Sequence, residues 1–276
     1  MTGWKKAYHA NCWGPLGGNA MGVTSITQLT YNTFGDMERA MADIAACGYS
    51  GIELFDGNLL GYEGRLSDLR RALDANGLQL VATYAGGNFI FDDILGEEMA
   101  RIERGARAAA ELGAEHLVVG GGAKRAHGLQ PDDFKKLGFA LDKVAALAQK
   151  YGLRVHYHPH LSTIVEGPEE VRKIFSQTSI DFCPDTAHLA AAGGDVALMI
   201  REHADRISYI HLKGWQREPF MFMPLDEGTL DMGAIVAAVR DIGFLGWITT
   251  ELDSWPDPKE GARKSMEFLR RYENQA

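Results

Sequence analysis

Short apolar runs alternate with longer amphipathic stretches from one end of the chain to the other. Runs of strand length lie at residues 7–13, 51–55, 80–85, 116–120, 154–158, 180–185, 207–212 and 247–252. Between them apolar residues recur on one helical face, as with Met37, Met41, Ile44 and Ala45 ahead of the second run, or Val144, Leu147 and Ala148 ahead of the fifth. This alternation is how βα units around a parallel sheet read. Local signals mark where the helices begin and end. Ser67 after Leu66 is a candidate N-cap, and Pro168 suits a first helical position. Gly48, Gly77, Gly113, Gly152 and Gly243 each stand just before a run, where a left-handed C-terminal cap favours glycine.

Eight such units, at roughly 30 to 35 residues each, predict a single-domain (β/α)8 barrel over residues 1–276 rather than an open doubly wound sheet. Gly120-Gly121-Gly122 lacks the spacing of a dinucleotide-binding fingerprint and reads as a tight exit from the fourth strand. The longest irregular stretches, residues 14–31 and 215–227, each follow a strand, where a barrel builds its substrate loops.

Composition narrows the class further. The 276 residues are 46% hydrophobic, enough for one large core. A formal net charge of −9, with no long Lys/Arg run, argues against nucleic acid as a partner. No segment has the length of a membrane span and the start lacks a secretory apolar stretch, so the expected location is the cytoplasm. Cys12, Cys47 and Cys183 are odd in number and lack CxxC spacing, which predicts buried thiols rather than disulfides or a zinc ribbon.

Polar residues gather where the strands end. They are His9 and Asn11 at the first, Glu53 at the second, and His156, His158 and His160 around the fifth. Asp185 and His188 follow at the sixth, His211 and Lys213 at the seventh, and Glu251 and Asp253 at the eighth. Barrel interiors are packed apolar layers, so charged residues at C-terminal strand ends point to an active site. Imidazoles and carboxylates converging from neighbouring strands suit one divalent cation, with Mn2+, Co2+, Zn2+ and Mg2+ all compatible.

The segments HYHPHLST, DTAHLAAAG, IHLKGWQREP and LDEGTLD with GFLGWITTELD resemble the xylose-isomerase-like sugar isomerase/epimerase superfamily. The second half is most similar to inosose dehydratases and related keto-sugar lyases, with ketose 3-epimerases as cousins. The resemblance implies one metal ion, Mn2+ in the first instance, held by His158, Asp185, His211 and Glu251. It also implies substrate contacts from His188 and Arg217, and Lys213, Glu53 and Trp13 are further substrate-binding candidates. Where the epimerases carry a glutamate at the fifth strand, this chain has His158, so only Glu251 of their acid/base pair is present.

The chemistry so implied begins with a keto-sugar or keto-polyol whose α-proton is removed by His160 or Glu251 to give a metal-stabilised enolate. Loss of a β-hydroxyl then gives dehydration, the reading the HPH motif favours. Reprotonation would give epimerisation or isomerisation. Two rival classes are a metal-dependent endonuclease, against which the negative charge argues, and a keto-C-glycoside-cleaving subunit that needs a partner chain. Self-association into a homo-oligomer is the expected assembly. Trp13, Phe55, Tyr84, Trp215, Phe222 and Trp255 are candidates to stack on a sugar ring.

Overall fold

Alternation along each strand decides which side chains face the barrel axis and which face the helices. In this computed structural model, which describes residues 4–17 and 30–273, eight parallel strands carry the pattern. They are β1 (Lys5–His9), β2 (Gly51–Phe55), β3 (Gln79–Gly87), β4 (His116–Gly121), β5 (Arg154–His158), β6 (Asp181–Phe182), β7 (Tyr209–Leu212) and β8 (Trp247–Thr250). Ala7, Phe55, Val118, Cys183, Tyr209 and Trp247 pack together inside the barrel, while their neighbours Tyr8, Leu54, Leu117, Phe182, Ile210 and Ile248 join the layer between strands and helices. A period of two thus divides two cores.

The strands pair in the order β6-β5-β4-β3-β2-β1-β8-β7. The ring closes between β6 and β7 through one parallel bridge, Asp185 to His211, where His211 N–H donates to Pro184 O at 3.1 Å. β6 is short because Pro184 has no N–H to give to a ladder. The strand expected over 180–185 is therefore two residues long plus a bridge.

Helices follow the strands in turn: α1 (Met37–Ala46), α2 (Leu66–Ala75), α3 (Leu95–Glu111), α4 (Asp133–Gln149), α5 (Pro168–Phe175), α6 (Val196–Glu202), α7 (Met232–Asp241) and α8 (Pro258–Glu273). α1 shows the logic. Asp36 caps it by accepting from Arg39 N–H at 3.0 Å, and Met37, Met41 and Ile44 form its buried face. Pro168 opens α5 as predicted. α2 differs: it begins at Leu66 after Arg65 with no side-chain cap, so Ser67 lies inside the first turn beside Asp68, whose charge suits the helix dipole. The five glycines expected to close helices all have positive φ, and all three cysteines are buried and free.

Other differences concern the connections. The first strand stops at His9, and Ala10–Trp13 forms a 3-10 turn. The stretch expected to be irregular after the seventh strand contains a hairpin, Gly214–Gln216 against Met221–Met223. Of the loop expected over 14–31, the described ends form the pair Leu16–Gly17 and Asn32–Thr33, and residues 18–29 lie outside the described residues. At the exit from β4, Gly121 has φ 121° and a Cβ there would lie 2.0 Å from Gly87 O, so glycine is required for the turn.

Candidate metal centre and substrate site

Four strand ends converge at the C-terminal mouth. His158 ends β5, Asp185 follows β6, His211 lies in β7 and Glu251 follows β8, and one ligand atom from each lies within 4.8 Å of all the others. All four residues are buried. Asp185 shows how local structure prepares a ligand. Its Oδ1 accepts from His188 N–H at 2.8 Å and so caps the short helix Thr186–Ala191, while Oδ2 is left 3.5 Å from His158 Nε2. Thr186 then ties the seam, its hydroxyl donating to Lys213 O at 2.7 Å and accepting from Lys213 N–H at 2.9 Å.

The fit to a cation rests on unmet bonding. Apart from ion pairs with Lys213 and with one another, His158 Nε2, Asp185 Oδ2, His211 Nδ1 and Glu251 Oε2 are all buried without a hydrogen-bond partner. Buried polar atoms ordinarily have partners, and four orphans converging from four strands are what a divalent ion satisfies. The mixture of imidazole nitrogen and carboxylate oxygen suits Mn2+, Co2+, Zn2+ or Mg2+.

Lys213 is fully buried beside them. Its Nζ lies 3.2 Å from Asp185 Oδ2, 3.4 Å from Glu251 Oε2 and 3.0 Å from Asp253 Oδ1. Burial opposes its charge, but Asp185, Asp253 and Glu251 outweigh burial and hold the ammonium protonated well above the usual lysine range. The same attraction acts in reverse on Asp185 and Glu251. Burial pushes both carboxyls up, yet Lys213 in each case, with His188 for Asp185 and His211 for Glu251, brings them below the usual range. Burial also works against charge on His211, but the flanking Glu53 and Glu251 lift its pKa to about 10.

A ring of imidazoles and aromatics surrounds this core. The His160 ring packs at a tilt against His188, 3.8 Å between centroids, and lies 5.8 Å from the His158 ring. Its Nδ1 is 2.6 Å from Leu161 O. A carbonyl only accepts, so Nδ1 carries the proton and Nε2 is left with its lone pair. Burial, with the nearby His158, pushes the His160 pKa down to about 4. His188 Nε2 sits 3.3 Å from Lys213 Nζ, and Phe222 covers both. His9 reaches Glu251 with Nδ1 3.5 Å from Oε1, and Asn11 donates to Glu251 Oε1 at 2.9 Å and to Asp253 Oδ1 at 3.1 Å. Phe55 and Tyr84 flank His9 and His158.

Three expected substrate contacts sit elsewhere. Trp13 turns outward, its Nε1 donating to Asp43 of α1 at 3.2 Å, because the 3-10 turn breaks the strand alternation that would have aimed it inward. Arg217 is exposed on the hairpin with its guanidinium over Trp215 at 5.6 Å. Glu53 faces the axis but one layer below the mouth, fully buried under His211. Of the other aromatics, Trp215 and Trp255 pack against the layer between strands and helices. Tyr209 and Thr249, which join Glu53, escaped notice in the sequence. The signal was the shared parity of Tyr209 with His211 and of Thr249 with Glu251.

A closed parallel barrel with polar side chains gathered at its C-terminal mouth has the layout of a TIM-barrel enzyme. Within that class the chain belongs to the xylose isomerase-like TIM barrel family, whose model matches residues 41–272. It is 27% identical over 252 residues to the rhizopine catabolism protein MocC of Rhizobium meliloti, covering 80% of this chain and 76% of that one. An inosose dehydratase of Clostridium beijerinckii is 25% identical over 278 residues, covering 87% and 89%. Among solved structures, a D-allulose 3-epimerase from Methylomonas sp. superposes with TM-score 0.76 at 16% identity, covering 98% of each chain. Set among these relatives, the chain is an enzyme. No helix among the described residues is long and apolar enough to cross a membrane.

Proposed function

We propose that this chain is a divalent-metal-dependent dehydratase of a keto-sugar or keto-polyol. His158, Asp185, His211 and Glu251 would hold the ion, and Mn2+ or Co2+ suits that donor set with positions left open for substrate oxygens. When bound, the ion would polarise the substrate carbonyl and ease removal of the neighbouring proton.

The chain's own residues supply the proton traffic. His160 accepts the α-proton at Nε2, the nitrogen freed by the Nδ1 bond to Leu161 O. The electron pair of that C–H bond forms the new C=C bond as the β-carbon releases its hydroxyl. Lys213, an ammonium held by three carboxylates, donates to the departing oxygen, which leaves as water. His188 and Phe222 wall the same space and keep the substrate ring against Lys213.

The observation that carries this reading is the pairing of a fixed, lone-pair-bearing His160 with a strand-five imidazole at His158. Epimerisation needs acid/base groups on both faces of the reacting carbon, and His158 leaves Glu251 as one carboxylate without its partner. The relationship to an inosose dehydratase over most of both chains points the same way.

The test is incubation of Mn2+-loaded protein with a 2-keto-inositol in D2O. The expected result is growth of enone absorbance. Exchange of the α-proton without loss of water would instead favour epimerisation. His160→Ala should retain its metal and lose at least about a hundredfold in α-proton exchange, in the range general-base removal costs. Exchange at the native rate in that variant would shift the base role to Glu251.

A further inference from the structure

The oxygen of Glu53 that meets His211 also meets a second donor, and the group so formed reaches the candidate ligands through His211. Glu53 Oε2 lies 2.9 Å from His211 Nε2 and accepts from the Tyr209 hydroxyl at 2.6 Å, and that hydroxyl accepts from Thr249 Oγ1 at 2.6 Å. All four residues are fully buried. Glu53 is opposite His9 on one side and opposite Ala82 on the other, where the β2–β3 register shifts between Ile52 and Glu53. The small Ala82 side chain gives the carboxylate room.

We infer that Glu53 is the positioning residue for the metal centre, fixing His211 with its proton on Nε2 and its lone pair on Nδ1, and that Tyr209 and Thr249 hold Glu53 in place. A carboxylate only accepts, so its contact with Nε2 places the proton there. Nδ1, 2.8 Å from Glu251 Oε2, is then the nitrogen whose proton a bound ion would displace to take its lone pair. A carboxylate behind a ligating imidazole fixes the tautomer and ring plane and raises the ligand's basicity. The charge itself argues for this role. Asp185 and Glu251 already crowd the site beside the half-buried Asp253, and a further buried carboxylate costs more than a neutral amide would if its task were only to tie β2 to β7.

This inference rests on the metal reading above, and the experiment separates the two. Metal-stripped full-length protein is titrated with Co2+ by calorimetry, and the visible absorption of the bound ion is recorded. Absence of Co2+ binding by the wild type would remove the metal reading itself, and this inference with it. With a binding wild type, Glu53→Gln should weaken affinity by about 10- to 100-fold and shift the Co2+ bands, while the metal-free protein melts no lower than wild type. Tyr209→Phe keeps the ring and removes only the hydroxyl that holds Glu53, so it should weaken Co2+ in the same direction, by several-fold. Unchanged affinity and bands in Glu53→Gln would overturn the inference and leave the metal reading standing. If Glu53→Gln fails to fold, Tyr209→Phe decides on the same two readouts.

Discussion

Asp185 does two jobs with two oxygens, and the difference between them makes the site testable one atom at a time. Oδ1 caps a helix and Oδ2 faces the orphaned ligand atoms. Asparagine is as good an N-cap as aspartate, so Asp185→Asn should keep the helix and the fold while losing the charge that draws the cation. The expected outcome is a normal far-UV spectrum with no Co2+ uptake at concentrations that saturate the wild type. Full metal content would remove Asp185 from the ligand set. At this scale the sequence was legible where a motif pins a residue to a strand end, as DTAH does for Asp185 and HLK for His211. Depth was not legible. Parity says that Glu53 faces inward, but it does not say that the carboxylate meets His211 across the barrel. The outward turn of Trp13 was not legible for a related reason, since nothing in its surroundings announces that β1 ends at His9.

Where elements meet, the seam between β6 and β7 is the thinnest part of the ring. One bridge joins them, and its two residues are also two of the four candidate ligands. Thr186 reinforces that seam with both halves of its hydroxyl. Thr186→Val preserves shape and leaves the N–H and C=O of Lys213 buried without this partner, at about 1–3 kcal/mol for each group. Urea unfolding of the metal-free protein should show a loss of about 3 kcal/mol, and a loss below about 0.5 kcal/mol would mean that the seam does not depend on Thr186. The strands and helices themselves were readable from period alone, because apolar runs and amphipathic faces differ in repeat. The two-residue β6 and the hairpin over Phe222 were not, since Pro184 and the tertiary setting of Gly214 decide them.

Over the whole molecule, the eightfold count of units was enough to predict a barrel, but the sequence did not show how differently its two ends treat charge. The mouth gathers carboxylates around Lys213 and the candidate ligands. Deeper in the barrel, His116 Nδ1 meets His156 Nε2 at 2.9 Å, with Tyr209 packed at a tilt against both rings. Burial is the main force on His116 and lowers its pKa to about 4, against an ordinary histidine value near 6.5. The folded chain therefore holds His116 neutral, while the unfolded chain protonates it first as pH falls. Between about pH 6.5 and pH 4 the unfolded state binds more protons, so stability rises with pH across that window and is lost on acidification. The stabilisation is complete above about pH 6.5 and fully forfeited below about pH 4. From these two values His116 alone should account for about 2 kcal/mol of the stability lost between pH 7 and pH 5. His116→Gln offers both a donor and an acceptor to His156 and does not titrate. Urea unfolding of the metal-free variant at the two pH values should show a fall smaller than that of the wild type by about that amount. An identical fall in both proteins would mean that the acid sensitivity of the barrel arises elsewhere, with His156, His160 and His188, which burial also holds neutral, as the next groups to test.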